Sequence, residues 1–315
     1  MSFAETLCLV LAAVYTLTCV ALSIGVALSW HVGLERRRSR PDELLALRLL
    51  PTVGAAFLTL TVALPAFLIH EAHHEAERAG LLLVVLALSA LGAAAHGMLR
   101  GWRAWAATRA LLQRCGSADR CDERAGVDIV RVSEPLAAVV GLWRPRILAA
   151  ECVSVACSDE EFRQIIAHEA AHVWAHDNVK LLLQIVSPDV LTWMAAGKAL
   201  TERWRAATEL EADVRASGCD PRKRVALASA LLKVARLSSY TERRPLALIM
   251  PVAVDDVEGR VRELLGPRPV SHRPLPMKAL VACALMIVGL SVPLYRSVHE
   301  FIESLVAFGT GWHGF

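Results

Sequence analysis

The chain has 315 residues, enough for one or two domains, and is 55% hydrophobic but only 6% aromatic, with a mean hydropathy of +0.43. That excess of Leu, Ala and Val argues against an ordinary soluble composition and points to membrane spans. A formal net charge of +3 gives no general case for direct nucleic-acid contact.

In chain order, Thr6 to Trp30 carries no charged residue and is long enough to cross a bilayer. Glu5, not a basic residue, precedes it, so it reads as a retained span and not a cleaved signal peptide. The basic stretch Arg36 to Arg40 follows and is read as a topology anchor facing anionic lipid. Leu49 to Ile69 is a second uncharged run, and Gly80 to Leu99 a third, interrupted by His96. His96 is expected to be hydrogen-bonded within the bundle. Between these runs lies His70-Glu71-Ala72-His73-His74, a literal H-E-x-x-H. It is read as a solvated turn, with a metal- or pH-responsive patch as the sharper alternative.

Arg residues are concentrated after the first and third runs, so the positive-inside rule places those segments in the cytoplasm and the N-terminus outside. The expected division is three transmembrane helices within 1–99 (about 6–30, 49–69 and 80–99), a cytoplasmic domain over 100–278, a fourth span over 279–296 and a short extracytoplasmic tail over 297–315. The expected location is the cytoplasmic (inner) membrane, crossed several times. The eight cysteines are scattered, and neither Cys115/Cys121 nor Cys152/Cys157 has zinc-knuckle spacing, so packed, reduced thiols are expected.

The cytoplasmic domain reads as α+β, within a mainly α chain. Val127 to Val132 alternates like a strand. Gly141 to Leu148 looks like a turn feeding an edge strand, where Pro145 would be tolerated and an extended substrate could add as a further strand. Ser158 with Glu161 forms a capping-box start for a helix. Leu181 to Gly197 reads as a buried helical hairpin or a segment dipping into the membrane, the first being favoured slightly. Helices are expected over 203–216 and 222–237.

The helix opened by Ser158 contains His168-Glu169-Ala170-Ala171-His172. Residues four apart share a helix face, so His168 and His172 can present two imidazoles to one Zn2+ ion. Glu169 can then act as general base toward a water, the arrangement of a zinc peptidase. A catalytic zinc wants a third protein ligand, and Glu209 in Glu209-Leu210-Glu211-Ala212-Asp213 offers one. Asp213, four further on, can hold a ligand histidine through its other ring nitrogen, and Glu211 is the weaker candidate. His176 lies four beyond His172 and would approach the same face if the helix continued. Tyr240, His272 and Arg260 are candidate donors to the oxyanion of peptide hydrolysis.

Gly141-Leu142-Trp143-Arg144-Pro145-Arg146-Ile147, the His168–His172 motif, Asp177-Asn178 and Glu209–Asp213 together resemble the membrane metallopeptidases of the BlaR/MecR antirepressor type. Val257 to Leu265 resembles the Arg-containing helix of these enzymes and of the HtpX-like proteases. The resemblance covers roughly residues 1–296. It implies a gluzincin metallopeptidase domain between spans three and four, with Asp177 joining Asp213 as support for the ligands. It also implies cleavage of a cytoplasmic winged-helix repressor, or of the chain itself, in signal-dependent gene regulation. The β-lactam sensors carry a penicillin-binding domain after the fourth span, whereas this sequence stops at Phe315, so β-lactam sensing through such a domain is not expected. Expected partners are thus a protein substrate and the lipid bilayer, with a homodimer left open. Two other readings stand beside this one: a membrane quality-control protease of the HtpX kind, and a non-catalytic membrane protein that senses metal or transmits a signal.

Overall fold

The chain opens with three long apolar helical rods, each long and apolar enough to cross a membrane. The computed structural model describes residues 2–33, 39–70, 80–114, 120–124, 127–132, 137–238, 250–251 and 256–266, and is mainly helical. Helix α1 (Phe3–Val32) starts on a reciprocal cap between Ser2 and Glu5. Helix α2 (Pro41–Leu58) has proline at its start and Asp42 and Glu43 in its first turn, where the helix dipole favours acidic groups. A π-helical turn, Thr59–Ala63, joins it to α3 (Leu64–His70), giving one apolar rod over Pro41–Ile69. Val10 and Ala13 of α1, Phe67 of α3 and Leu83 of α4 pack together. Leu28, Leu60 and Leu88 face outward, as lipid-facing residues would.

Helix α4 (Leu81–Arg114) has 34 residues, about 50 Å at the helical rise per residue, well beyond a hydrocarbon core of roughly 30 Å. The expected span over 80–99 is therefore the first part of a longer rod. Arg100, Arg103 and Arg109 ride on its continuation, because Gly101 to Arg114 holds good helix formers and no proline.

Among the described residues five strands follow: β1 (Arg120–Arg124), β2 (Val127–Val132), β3 (Ala137–Val140), β4 (Arg146–Ala150) and β5 (Met250–Pro251), ordered β1-β2-β4-β3-β5. The β2–β4 pair is parallel and the other pairs are antiparallel. The strand expected at the edge, Arg146 to Leu148, is central instead. β2 pairs with one side of β4 and β3 with the other, so β4 has no free edge for an added strand. Pro145 stays outside the ladder, in the turn, where its missing N–H costs nothing. Gly141 makes that turn at φ +103°, and a Cβ there would lie 2.9 Å from the Arg144 carbonyl oxygen. The outer side of β3 is paired with Met250–Pro251. Alternation along β4 splits its side chains: Leu148 and Ala150 pack with Leu227 and Leu231, Ile147 and Ala149 with Ile166 and Ala170.

A short helix α5 (Glu151–Ala156) leads to α6 (Asp159–Ala175), capped by Ser158 and Glu161 as the sequence suggests. Glu161 also accepts hydrogen bonds from Ser229 and Lys233 of α9 (Pro221–Ser238), which ties the two helices together. At His176 the backbone turns left-handed (φ 57°) and α7 (Asp177–Val186) departs in a new direction. Leu181 to Gly197 is the end of α7, a 3-10 turn over Val190–Thr192 and the start of α8 (Ala195–Ser217). It packs on the apolar rods: Leu181, Leu191, Ala196, Leu200 and Trp204 share a core with Val26, Ala27, Trp30 and Leu44. Helix α8 begins eight residues before the expected 203–216 segment, because Ala195–Leu200 continues its buried face. Helix α10 (Val257–Leu265) lies on α9, where the Arg224 guanidinium donates to the carbonyls of Glu263 and Gly266 at the end of α10. The expected fourth span over 279–296, the tail over 297–315, the second H-E-x-x-H beyond His70, and Tyr240 and His272 lie outside the described residues.

Candidate metal centre

Helix α6 turns His168, Glu169 and His172 inward, each at most 3% exposed. Helix α8 does the same with Glu209 and Asp213, four apart on one face. Where the two helices meet, His168 Nε2 lies 3.2 Å from His172 Nε2. Glu209 closes the group, with Oε2 at 3.4 Å from His168 Nε2 and Oε1 at 3.6 Å from His172 Nε2. One ligand atom from each of the three lies within 4.8 Å of the others, a spacing suited to a single metal ion.

The far side of each imidazole meets a carboxylate. His172 donates from Nδ1 to Asp177 Oδ2 at 2.8 Å, and His168 Nδ1 lies 2.9 Å from Asp213 Oδ1. Carboxylates accept only, so the protons belong on Nδ1 and the Nε2 lone pairs face one another. Two lone pairs at 3.2 Å repel unless a cation or a shared proton lies between them. Asp177 is held in turn by its place at the α6–α7 corner. Its neighbour Asn178 donates from its side chain to the carbonyls of Val139 and Gly141, fastening the corner to β3.

Arg260 of α10 reaches the same cluster, although it lies 47 residues beyond Asp213. It donates from Nε and Nη2 to Asp213 at 2.8 and 2.6 Å, and its Nη1 lies 2.8 Å from Glu209 Oε2. The sequence singles out this residue as a candidate oxyanion donor. In the structure its guanidinium is spent on two carboxylates, an arrangement no spacing rule reveals from a helix so far along the chain. His176, by contrast, stands outside the site: the left-handed turn ends α6 there, and its ring contacts the Trp174 carbonyl. Glu211 points away and pairs with Arg215.

The electrostatics fit a divalent cation. Glu169, Asp177, Glu209 and Asp213 are all buried, and the buried Arg260 guanidinium is set against Glu209 and Asp213. Burial disfavours a charged His168, yet Asp213 and Glu209 push it up to about 10, so without metal the ring takes a proton. Burial also works against the Asp213 and Glu209 carboxylates. The hydrogen bonds and charges of His168 and Arg260 overcome it, holding Asp213 down at about 2 and Glu209 below the usual carboxylate range. The same network raises Arg260 above its already high value against the effect of burial. Burial pushes Glu169 up, with the Glu209 charge adding to it against the opposing histidines and Arg260. Among the described residues both Glu169 oxygens are buried without a hydrogen-bond partner, so this carboxylate is free to receive a proton from a molecule entering the site.

Apolar helical rods joined to an α/β unit with a buried two-histidine, one-glutamate cluster define a membrane protein of the metallopeptidase class. Consistent with this, the sequence model of the family described as BlaR1 peptidase M56 matches residues 68–264, more than half of the chain. The chain belongs to that family of membrane metallopeptidases. No curated protein matches it.

Proposed function

We propose that the chain is an integral-membrane zinc metalloendopeptidase in which His168, His172 and Glu209 hold the metal and Glu169 is the general base. The observation that carries this reading is the convergence of these three ligand atoms beside a buried carboxylate that has no hydrogen-bond partner among the described residues. Zinc held there would supply a Lewis acid that acidifies water and polarises the scissile carbonyl. Glu169, its affinity for protons raised by burial, accepts a proton from the attacking water and delivers it to the amine as the C–N bond breaks. Asp213 and Asp177 keep the His168 and His172 rings turned toward the metal. Arg260 holds Asp213 and Glu209 in place.

In this reading the substrate is a cytoplasmic repressor or the chain itself, and the site faces the cytoplasm. The concentration of Arg at one end of the apolar rods supports that orientation. The test uses purified full-length protein, wild type against Glu169→Gln, with zinc content and cleavage of a co-expressed repressor or of the chain measured on both. Glu169→Gln is expected to retain zinc and to lose cleavage by about 10²–10⁴-fold. Absence of zinc from the wild type would sink the reading, and equal cleavage by both proteins would remove Glu169 from it.

A further inference from the structure

Helix α7, which carries the Asp177 partner of His172, and α8, which carries Glu209 and Asp213, are joined by one short connection, and all three apolar rods grip it. Helix α7 begins at Asp177, the partner of His172, and ends at Val186; α8 begins at Ala195 and carries Glu209 and Asp213. Asp189, between them, is 1% exposed. The Arg48 guanidinium of α2, 2% exposed, donates to Asp189 at 2.8 Å and to Thr192 at 2.7 Å. Thr52, one turn further along α2, donates to the same Asp189 oxygen at 3.0 Å. The other Asp189 oxygen caps the 3-10 turn by accepting from the Thr192 N–H. The remaining rods touch the same place. Cys19 of α1 approaches the Pro188 carbonyl, and the His96 ring of α4 packs on Trp193 at 5.5 Å. Gly97 and Gly101 of α4 lie so close to Val186 that a Cβ at either would collide with it. Helix α2 also reaches the other end of α7, where Lys180 bridges Asp42 at 3.2 Å and Asp177 at 3.6 Å.

An ion pair shielded from water within an apolar bundle is costly to assemble and costlier to break on one side. Bundle cohesion alone does not require it, since Leu, Val and Ala already pack these rods. Its position is informative: rigid helices lead from Asp189 back to Asp177 and forward to Glu209. We infer that Arg48 and Asp189 form a positioning pair, through which the second apolar rod sets the placement of α7 against α8, and so the position of Asp177, which orients the His172 ring, relative to Glu209. This rests on the metal site proposed above. A shift of α2 relative to the other rods would be transmitted to the ligand geometry with no contact between α2 and the metal.

The test is a titration of metal-free, full-length protein in detergent with Co2+, whose visible absorption reports ligand number and geometry. Arg48→Met and Asp189→Asn are expected to weaken Co2+ binding by about tenfold or more and to alter its absorption bands. Arg48→Lys should restore part of the affinity, because it keeps the charge but cannot serve Asp189 and Thr192 together. A folded Arg48→Met protein with wild-type Co2+ affinity and bands would overturn the inference. Should that variant fail to fold, hydrogen exchange of the wild type with and without Co2+ decides, because coupling between two sites is reciprocal. Metal is then expected to slow exchange of the amides over 186–194. A wild type that binds Co2+ with those amides unchanged overturns the coupling alone, and a wild type that binds none overturns the metal site and the coupling together.

Discussion

Arg260 is the counter-charge of two buried carboxylates, and its removal should be felt unequally by the two forms of the protein. Without metal, Arg260→Met leaves Asp213 and Glu209 facing each other with little compensation beyond a protonated His168, a loss of about 3–5 kcal/mol. With zinc bound, the ion supplies positive charge in the same place and the loss should be smaller. Melting temperatures with and without zinc would therefore lie further apart for the variant than for the wild type. An equal drop in both forms would assign Arg260 to packing alone. How much of this was legible in the sequence differs residue by residue. His168, Glu169 and His172 are visible because helical spacing alone puts them on one face. Glu209 and Asp213 follow from the need for a third ligand and an orienting carboxylate. Asp177 came only through resemblance, since no periodicity places a residue beyond a left-handed turn. Arg260 stands out in the sequence as a candidate donor, but its partners depend on how α10 lies on α9.

At the level of elements, α6 is fastened to α9 through Glu161, whose carboxylate serves the Ser158 cap, Ser229 and Lys233 together. Desolvation opposes its charge, but these partners, Lys233 first, hold it down at about 2 from 4.5. A depressed carboxylate contributes stability that is present above the unfolded value and lost as the pH falls through the folded one. The contact should therefore weaken between pH 4.5 and about 2. Since Lys233 is 38% exposed, water screens the pair and the contribution is about 1 kcal/mol. Glu161→Gln should flatten the acid limb of a stability–pH curve over that window, and an unchanged limb would count against the assignment. The capping box marked this helix start in the sequence, yet the link to α9 was not readable there, because Ser229 and Lys233 lie some seventy residues on. The expected edge strand proves central for a related reason. Pro145 signals a missing ladder bond, but it lies in the turn, and β4 beyond it is paired on both sides.

For the whole molecule, the apolar rods and the site-bearing helices share one core, in which Trp30 and Leu44 pack with Leu181, Leu191 and Trp204. A fragment beginning at residue 115 would strip the rods away and expose that cluster. Such a fragment is expected to aggregate and to hold no zinc, even though every proposed ligand is present. A soluble, zinc-binding fragment would show that the α/β unit stands alone. Composition and charge-free runs make the three rods readable. Their union was not readable, because Arg48 looks like one more basic residue near a span end and Asp189 like a loop acid.

The α6–α7 corner at His176 also has a consequence in time. His168, His172 and Asp177 fall within ten consecutive residues, so this half of the cluster needs almost no chain closure to form. Glu209 and Asp213 arrive with α8, and Arg260 only with α10. During synthesis the two imidazoles and their first carboxylate emerge together, the remaining acids follow, and the guanidinium that offsets them comes last. A ribosome stalled before α10 would thus carry a nascent chain with all three proposed ligands and no Arg260, in which a captured ion would be the principal counterweight to Asp213 and Glu209.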